Sequence, residues 1–215
     1  MNVVILGAPG SGKGTQAKML SEAFGLLHIS TGDMLRKEIE EGTDLGLEAK
    51  GYVESGMLVP DDLIIDMVRK RVSSDDRDFI LDGFPRNLSQ AHELDRLLLD
   101  LGRVLDLVLY IEVPEDEVVR RLGGRRACPS CGENYHVEFK PPKVEGICDV
   151  CGASLRRRED DEEGAIRRRL SVYREQTSPL ISFYADRGIL TVVDGVGSPE
   201  EVHRRIVGLF SRGEG

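Results

Sequence analysis

The first fifteen residues constrain this chain most: an apolar run, "MNVVIL", passes directly into "GAPGSGKGT". A short run of aliphatic and β-branched residues bounded by glycine and proline reads as a strand buried on both faces. The glycine-rich stretch after it has the spacing GxxxxGK, with Gly7, Gly12 and Lys13 at the fixed positions. Between a strand and a helix, such glycines let successive backbone N–H groups curl around a phosphate chain. The helix N-terminus adds positive potential there, and Lys13 neutralises the β and γ oxygens of a nucleoside triphosphate. One position departs from the strict pattern: Gly14 follows the lysine, and the hydroxyl comes at Thr15. This leaves open whether that hydroxyl reaches a magnesium ion directly or through water.

Further apolar runs place strands at 2–6, 27–30, 79–82, 107–113 and 190–194. Helical patterns fall at 13–24, 31–41, 47–55, 61–72, 89–101, 114–122, 161–187 and 199–209. Alternation of this kind predicts an α/β fold, a doubly wound five-stranded parallel sheet with helices on both faces and ligands at the carboxyl ends of the strands. The segment 123–159 breaks the rhythm with glycines, prolines and short β-like runs such as "YHVEF", and reads as an insertion. It holds all four cysteines: Cys128 and Cys131, then Cys148 and Cys151, two CxxC pairs separated by 16 residues. That spacing fits a tetrahedral four-thiolate zinc site in a ribbon joining two short hairpins, with iron or a redox-labile dithiol as alternatives. Four sulfur ligands leave no open position, so such a metal is structural.

A net charge of −9 gives no global attraction to nucleic acid or anionic membrane, so the expected partner is a small molecule. A zinc ribbon in a nucleic-acid-binding module is the competing reading, and the acidic balance argues against it. No apolar run approaches the roughly 18 residues that cross a bilayer, and no basic stretch precedes the first strand, so a cytoplasmic monomer is expected. The 22 arginines outnumber the 7 lysines, and many fall between 120 and 174. The planar guanidinium fork suits phosphate recognition. In "FILDGFPR", Asp82 ends a strand beside the phosphate loop, where a carboxylate positions magnesium. Two acceptors remain open. A hydroxyl acceptor calls for a base, which Asp33 in "STGDMLR" offers. A phosphate acceptor is already dianionic and calls for cations to relieve repulsion, which Arg36, Arg86, Arg121, Arg125, Arg158 and Arg169 offer.

"GAPGSGKGTQ", "STGDMLR", "LDGFPR", "GRR" and "DDEE…RRRL" occur in this order over nearly the whole chain. The ordered set resembles the adenylate kinases of the nucleoside monophosphate kinase family. The resemblance implies magnesium-dependent phosphoryl transfer from ATP to AMP giving two ADP, with other monophosphate or small-metabolite acceptors as the alternative. It implies a core of 1–29, 60–122 and 160–215, a helical NMP-binding segment at 30–59, and a small β-rich zinc-binding LID at 123–159 that closes over ATP. ATP contacts would fall on Gly10, Ser11, Gly12, Lys13, Gly14 and Thr15, with Arg121 and Arg125 on phosphates, Asn134 and Tyr135 near the base or ribose, and a backbone contact at Gly197. AMP would be touched by Thr31, Arg36, Met57, Leu58, Val59, Gly83, Phe84, Pro85, Arg86 and Gln90, the last reading adenine. Arg158 and Arg169 would span both nucleotides. Asp82 would hold magnesium through water, and Asp160 and Asp161 would orient magnesium waters or LID arginines. Arg167 and Arg168 read as solvated helix-face residues, and the four histidines take no role.

Overall fold

The computed structural model describes residues 1–210, Phe210 without its side chain; the final stretch of the 160–215 core piece, 211–215, lies outside the described residues. Chain order runs β1 (Val3–Leu6), α1 (Lys13–Phe24), β2 (Leu27–Ser30), α2 (Thr31–Glu41), α3 (Asp44–Ser55), α4 (Asp61–Ser73), β3 (Phe79–Asp82), α5 (Leu88–Asp100), β4 (Leu107–Glu112) and α6 (Glu115–Gly124). A small ribbon comes next with β5 (Arg125–Ala127) and β6 (Asn134–His136), then α7 (Glu163–Val172), α8 (Pro179–Asp186), β7 (Leu190–Asp194) and α9 (Pro199–Phe210).

Five parallel strands lie in the order β2-β3-β1-β4-β7. β1 is central because all four of its residues are apolar and both faces must be covered. In register, Val4 faces Leu81 on β3 and Val108 on β4. Alternate residues then feed two cores. Val4, Leu6, Ile29, Phe79, Leu81 and Val108 pack with Val68 of α4, Leu94 and Leu98 of α5, and Leu180 and Tyr184 of α8. Val3, Ile5, Ile80, Leu109, Ile111 and Val193 pack with Ala17 and Leu20 of α1 and with Val202 and Ile206 of α9. This is the expected doubly wound sheet, and its strand order reverses beside β1, where the ligand crevice of such sheets opens.

The long helix expected over 161–187 is interrupted. A 3-10 turn at Glu159–Asp161 precedes α7, and a π turn at Tyr173–Thr177 separates α7 from α8. Pro179 explains the second break: it has no N–H to continue the ladder and starts α8 at its first position instead. Ser178 reaches back to the Tyr173 carbonyl at 2.8 Å, which widens the turn, and Thr177 Oγ1 donates to the Arg86 carbonyl at 2.7 Å. Helix α3 starts earlier than expected, since the Thr43 hydroxyl caps it by accepting from the Gly46 N–H.

Candidate active site

The loop after β1 is built for an anion. Helix α1 starts at Gly12 with no side-chain cap, so its first N–H groups point at whatever fills the loop. Gly10 has φ +84°, and a Cβ there would meet Leu122 of α6 at 2.7 Å. Lys13 Nζ donates to the carbonyls of Gly7 and Ala8 at 2.8 and 2.9 Å, folded across the loop it serves. Burial lowers its pKa to about 8; Asp82 opposes that shift, and Arg86, Arg169 and Arg125 add to it. Gly14 explains the departure from the strict pattern: a Cβ at this position would stand 3.1 Å from Asp82 Oδ2, so the missing side chain makes room for the carboxylate.

One cavity gathers every residue expected at ATP: Gly10, Ser11, Gly12, Lys13, Gly14, Thr15, Arg121, Arg125, Asn134, Tyr135 and Gly197, with Asp82 in its wall. Thr31, Met57, Leu58, Val59 and Gln90 line an adjoining cavity, and Arg36, Arg86 and Arg169 line both. Gly83 and Pro85 border this region. Phe84 does not face it; its side chain is 2% exposed and belongs to the core under α5. Gly83 has φ +82°, and a Cβ there would press on the Thr31 hydroxyl at 2.8 Å and on Arg86 at 3.0 Å.

The cations are held by paired acids. Arg125 forms a two-pronged contact with Asp161 at 2.7 and 2.5 Å, while Arg169 Nη1 reaches Asp161 at 3.2 Å and Asp160 Oδ2 at 3.0 Å. Arg86 Nε donates to the Gly83 carbonyl at 2.7 Å. Arg121 binds Glu117 at 2.8 Å and the Gly195 carbonyl at 3.1 Å. Arg158 donates to Asn134 Oδ1 at 2.7 Å, and its buried Nε has no partner. Burial pushes the Arg86 guanidinium down to about 10 and that of Arg158 to about 9, both still charged at neutral pH. Burial also pushes Asp160 upward, but Arg169, Arg125, Arg36 and Arg158 outweigh it and hold its carboxyl below the usual range. Eight cationic side chains, Lys140 included, meet six carboxylates here, so the chamber of an acidic protein is itself positive, and incoming phosphates supply the missing counter-charge.

Asp33 is a poor base. Burial raises its pKa, but Arg36, at 2.5 Å from Oδ1, together with Arg158 and Ser30 brings it below the ordinary value. Arg167 pairs with Glu163 one turn away at 2.6 Å, as a solvated face residue does. Arg168 is exposed as well, and its Nε also donates to the Ser55 carbonyl at 2.6 Å, which ties α7 to the end of α3. Sequence reasoning missed His136, Phe139 and Lys140, which also line the first cavity. The Phe139 ring lies 4.4 Å from that of His136, with Arg120 over it at 4.5 Å. The aromatic and basic residues of "YHVEFK" carried that signal.

In the ribbon, the four cysteine sulfurs lie within 4.8 Å of one another. Cys128 to Cys151 is 3.4 Å and Cys131 to Cys148 is 3.5 Å, far longer than a disulfide and close to the edge of about 3.8 Å set by Zn–S bonds of about 2.3 Å. Each knuckle folds alike: Cys128 N–H donates to Glu133 O and Cys148 N–H to Ala153 O, both at 2.8 Å. Burial disfavours the Cys148 thiolate, but the Tyr135 hydroxyl and the Cys151 and Val150 N–H groups bring its pKa down to about 6. These residues fit a structural zinc, and among the described residues only Cys128, Tyr135, Cys148, Ala153 and Leu155 form the apolar cluster beneath it. Zinc removal by a chelator is therefore expected to lower the melting temperature, because most of the ribbon's rigidity is metal-derived; an unchanged melting curve after verified metal loss would refute this.

A parallel α/β sheet, a phosphate loop at its switch point and arginines shared by two adjoining cavities define a P-loop phosphotransferase with room for donor and acceptor. A model of the family described as adenylate kinase matches residues 5–189. The chain is 52% identical over 202 residues to an adenylate kinase of Caldicellulosiruptor saccharolyticus, covering 93% of each chain. It is 51% identical to that of Thermodesulfovibrio yellowstonii over 99% of this chain and 100% of the relative, and 50% identical to one of Clostridium botulinum over 99% of each. The chain belongs to the adenylate kinase family.

Proposed function

We propose that this protein works as an adenylate kinase through the residues of these two cavities: ATP on the loop of β1, AMP in the cavity between α2, α3 and "GFPR", and a phosphoryl group passed between them to give two ADP. The observation that carries this reading is that Arg36, Arg86 and Arg169 belong to the walls of both cavities. Two polyanions repel one another, and shared guanidinium groups offset that repulsion where donor and acceptor meet. A phosphate acceptor needs no general base, consistent with an Asp33 carboxylate held down by Arg36.

Lys13 would turn from the loop carbonyls to the β and γ oxygens, and the N–H groups of Gly10 to Thr15 would follow the phosphate chain. Arg121 and Arg125 would close on the donor, with Asn134, Tyr135 and Gly197 around its nucleoside. Thr31, Met57 to Val59 and Gln90 would seat the acceptor. Magnesium supplies charge neutralisation across the donor phosphates when bound, and Asp82, beside Gly14, would hold its waters. The arm 30–59 and the flap 123–159 would exclude water around the transfer. In support, Lys18 of α1 forms an ion pair with Glu133 of the flap, and Arg168 anchors the arm to α7.

A coupled assay offering AMP, CMP, UMP, GMP and a simple alcohol to ATP tests the reading. AMP is expected to be preferred, and phosphorylation of the alcohol but not AMP would reject it. Lys13 adds a pH signature. Its depressed pKa of about 8 in the free protein must rise when phosphates surround it, so binding takes up a proton above pH ~8 and affinity falls as pH rises through that window. Calorimetry in buffers of different ionisation enthalpy should give greater proton uptake at pH 9 than at pH 7; equal uptake would contradict the assignment.

We also infer a cytoplasmic monomer whose partners are nucleotides, with neither nucleic acid nor membrane among them. A net charge of −9 and the unpaired thiols support this, and no helix among the described residues is long and apolar enough to cross a membrane. A solution mass other than 23.8 kDa would overturn the monomer.

A further inference from the structure

Gln90 is 1% exposed, and both ends of its amide are engaged by the protein before any ligand arrives. Oε1 accepts from the Arg86 N–H at 2.8 Å, and Nε2 donates to Asp61 Oδ1 at 2.7 Å. Asp61 opens α4 just beyond the arm, and its carboxylate also accepts from Asn87 Nδ2 at 2.9 and 3.1 Å. Asn87 in turn caps α5 by accepting from the Gln90 N–H at 2.8 Å. A backbone N–H can only donate, and an ionised carboxylate can only accept. A half-turn of the Gln90 amide would set oxygen against carboxylate and N–H against N–H, leaving two buried polar groups unpaired. The network therefore fixes which end of the amide is which.

What this leaves for the cavity is one N–H and one oxygen lone pair in a set order. An amino-purine edge presents an unprotonated ring nitrogen beside an amino donor and matches that order. A 6-oxo-purine held in the same seat by its ribose and phosphate presents the reverse, a ring N–H beside a carbonyl, and would be matched there only by the turned amide. We propose that Asp61, acting through Gln90, makes the acceptor pocket choose amino- over oxo-purine nucleotides. Asp61 is thus a positioning residue for specificity. This rests on the proposal that the Gln90 cavity is the acceptor's.

Two measurements test it. The first uses the native protein with AMP, inosine monophosphate and the monophosphate of unsubstituted purine riboside, which carries no group at C6. A locked amide repels the oxo edge, so kcat/KM should fall in the order AMP, unsubstituted purine, inosine nucleotide, the last step by roughly tenfold or more. An inosine nucleotide equal to or better than the unsubstituted one overturns the lock. The second compares native protein with Asp61→Asn, whose side chain can donate as well as accept and so removes the buried-carboxylate half of the lock, leaving only the Arg86 N–H to oppose a turn of the amide. The inosine-to-adenosine ratio of kcat/KM should rise roughly tenfold, whereas loss of structure alone would lower both and leave the ratio flat. A rise under threefold overturns the proposal, and if the variant fails to fold the first measurement decides. Absence of AMP turnover in native protein would instead sink the acceptor assignment itself.

Discussion

Lys13→Ala is expected to lower turnover by more than about 100-fold while the protein stays folded. The ammonium is the one cation seated on the loop itself, bonded only to the Gly7 and Ala8 carbonyls. Both are backbone carbonyls of the loop, where water can take the place of the lysine, so the fold loses little. The reacting γ-phosphoryl loses its nearest positive charge, and 100-fold corresponds to about 2.7 kcal/mol of transition-state stabilisation. Arg86→Ala should cost as much for the acceptor side. Here too the backbone is spared, because the Gly83 carbonyl that Arg86 holds also accepts from the Thr31 hydroxyl at 2.9 Å. Steady-state kinetics paired with thermal melts decide the matter: either variant within tenfold of native turnover, or unfolded at ambient temperature, contradicts the roles assigned to Lys13 and Arg86.

The second large effect is expected at Asp161. Its side chain is 0% exposed and meets Arg125 and Arg169, each 19% exposed. Cutting the carboxylate away in Asp161→Ala leaves two guanidinium groups in a poorly solvated place with one anion, Asp160, between them. Loss of one partner from a buried ion pair costs about 3–5 kcal/mol, so the urea midpoint should fall sharply and turnover with it. Asp161→Asn keeps the shape and one hydrogen-bond acceptor and should recover part of the stability but little of the activity. A stability loss below about 1 kcal/mol in the alanine variant would show that the pair is not tightly coupled to the fold.

The sheet was legible because its strands are short, mostly apolar runs, "VVIL" and "LVLYIE" among them, separated by amphipathic helices. The loop and the four cysteines were legible because spacing alone constrains them. The break between α7 and α8 was harder to see, since Pro179 acts on a hydrogen-bond ladder and a 3.6-residue pattern continues across it. Phe84 could not be separated from its neighbours in "GFPR", for a motif says which residues travel together and not which way each side chain turns. His136 and Asp61 stayed hidden for a related reason: each matters through a contact, to Phe139 or to Gln90, that local pattern does not encode.

The two matching knuckles of the ribbon have a mechanical consequence. Because thiolates and a metal, rather than a shared apolar core, give that part its shape, its firmness owes little to the sheet it covers. If the flap 123–159 closes over the donor as proposed, a hinge between them would swing without borrowing cohesion from either side, and heat resistance and gate motion would be properties that selection can adjust separately.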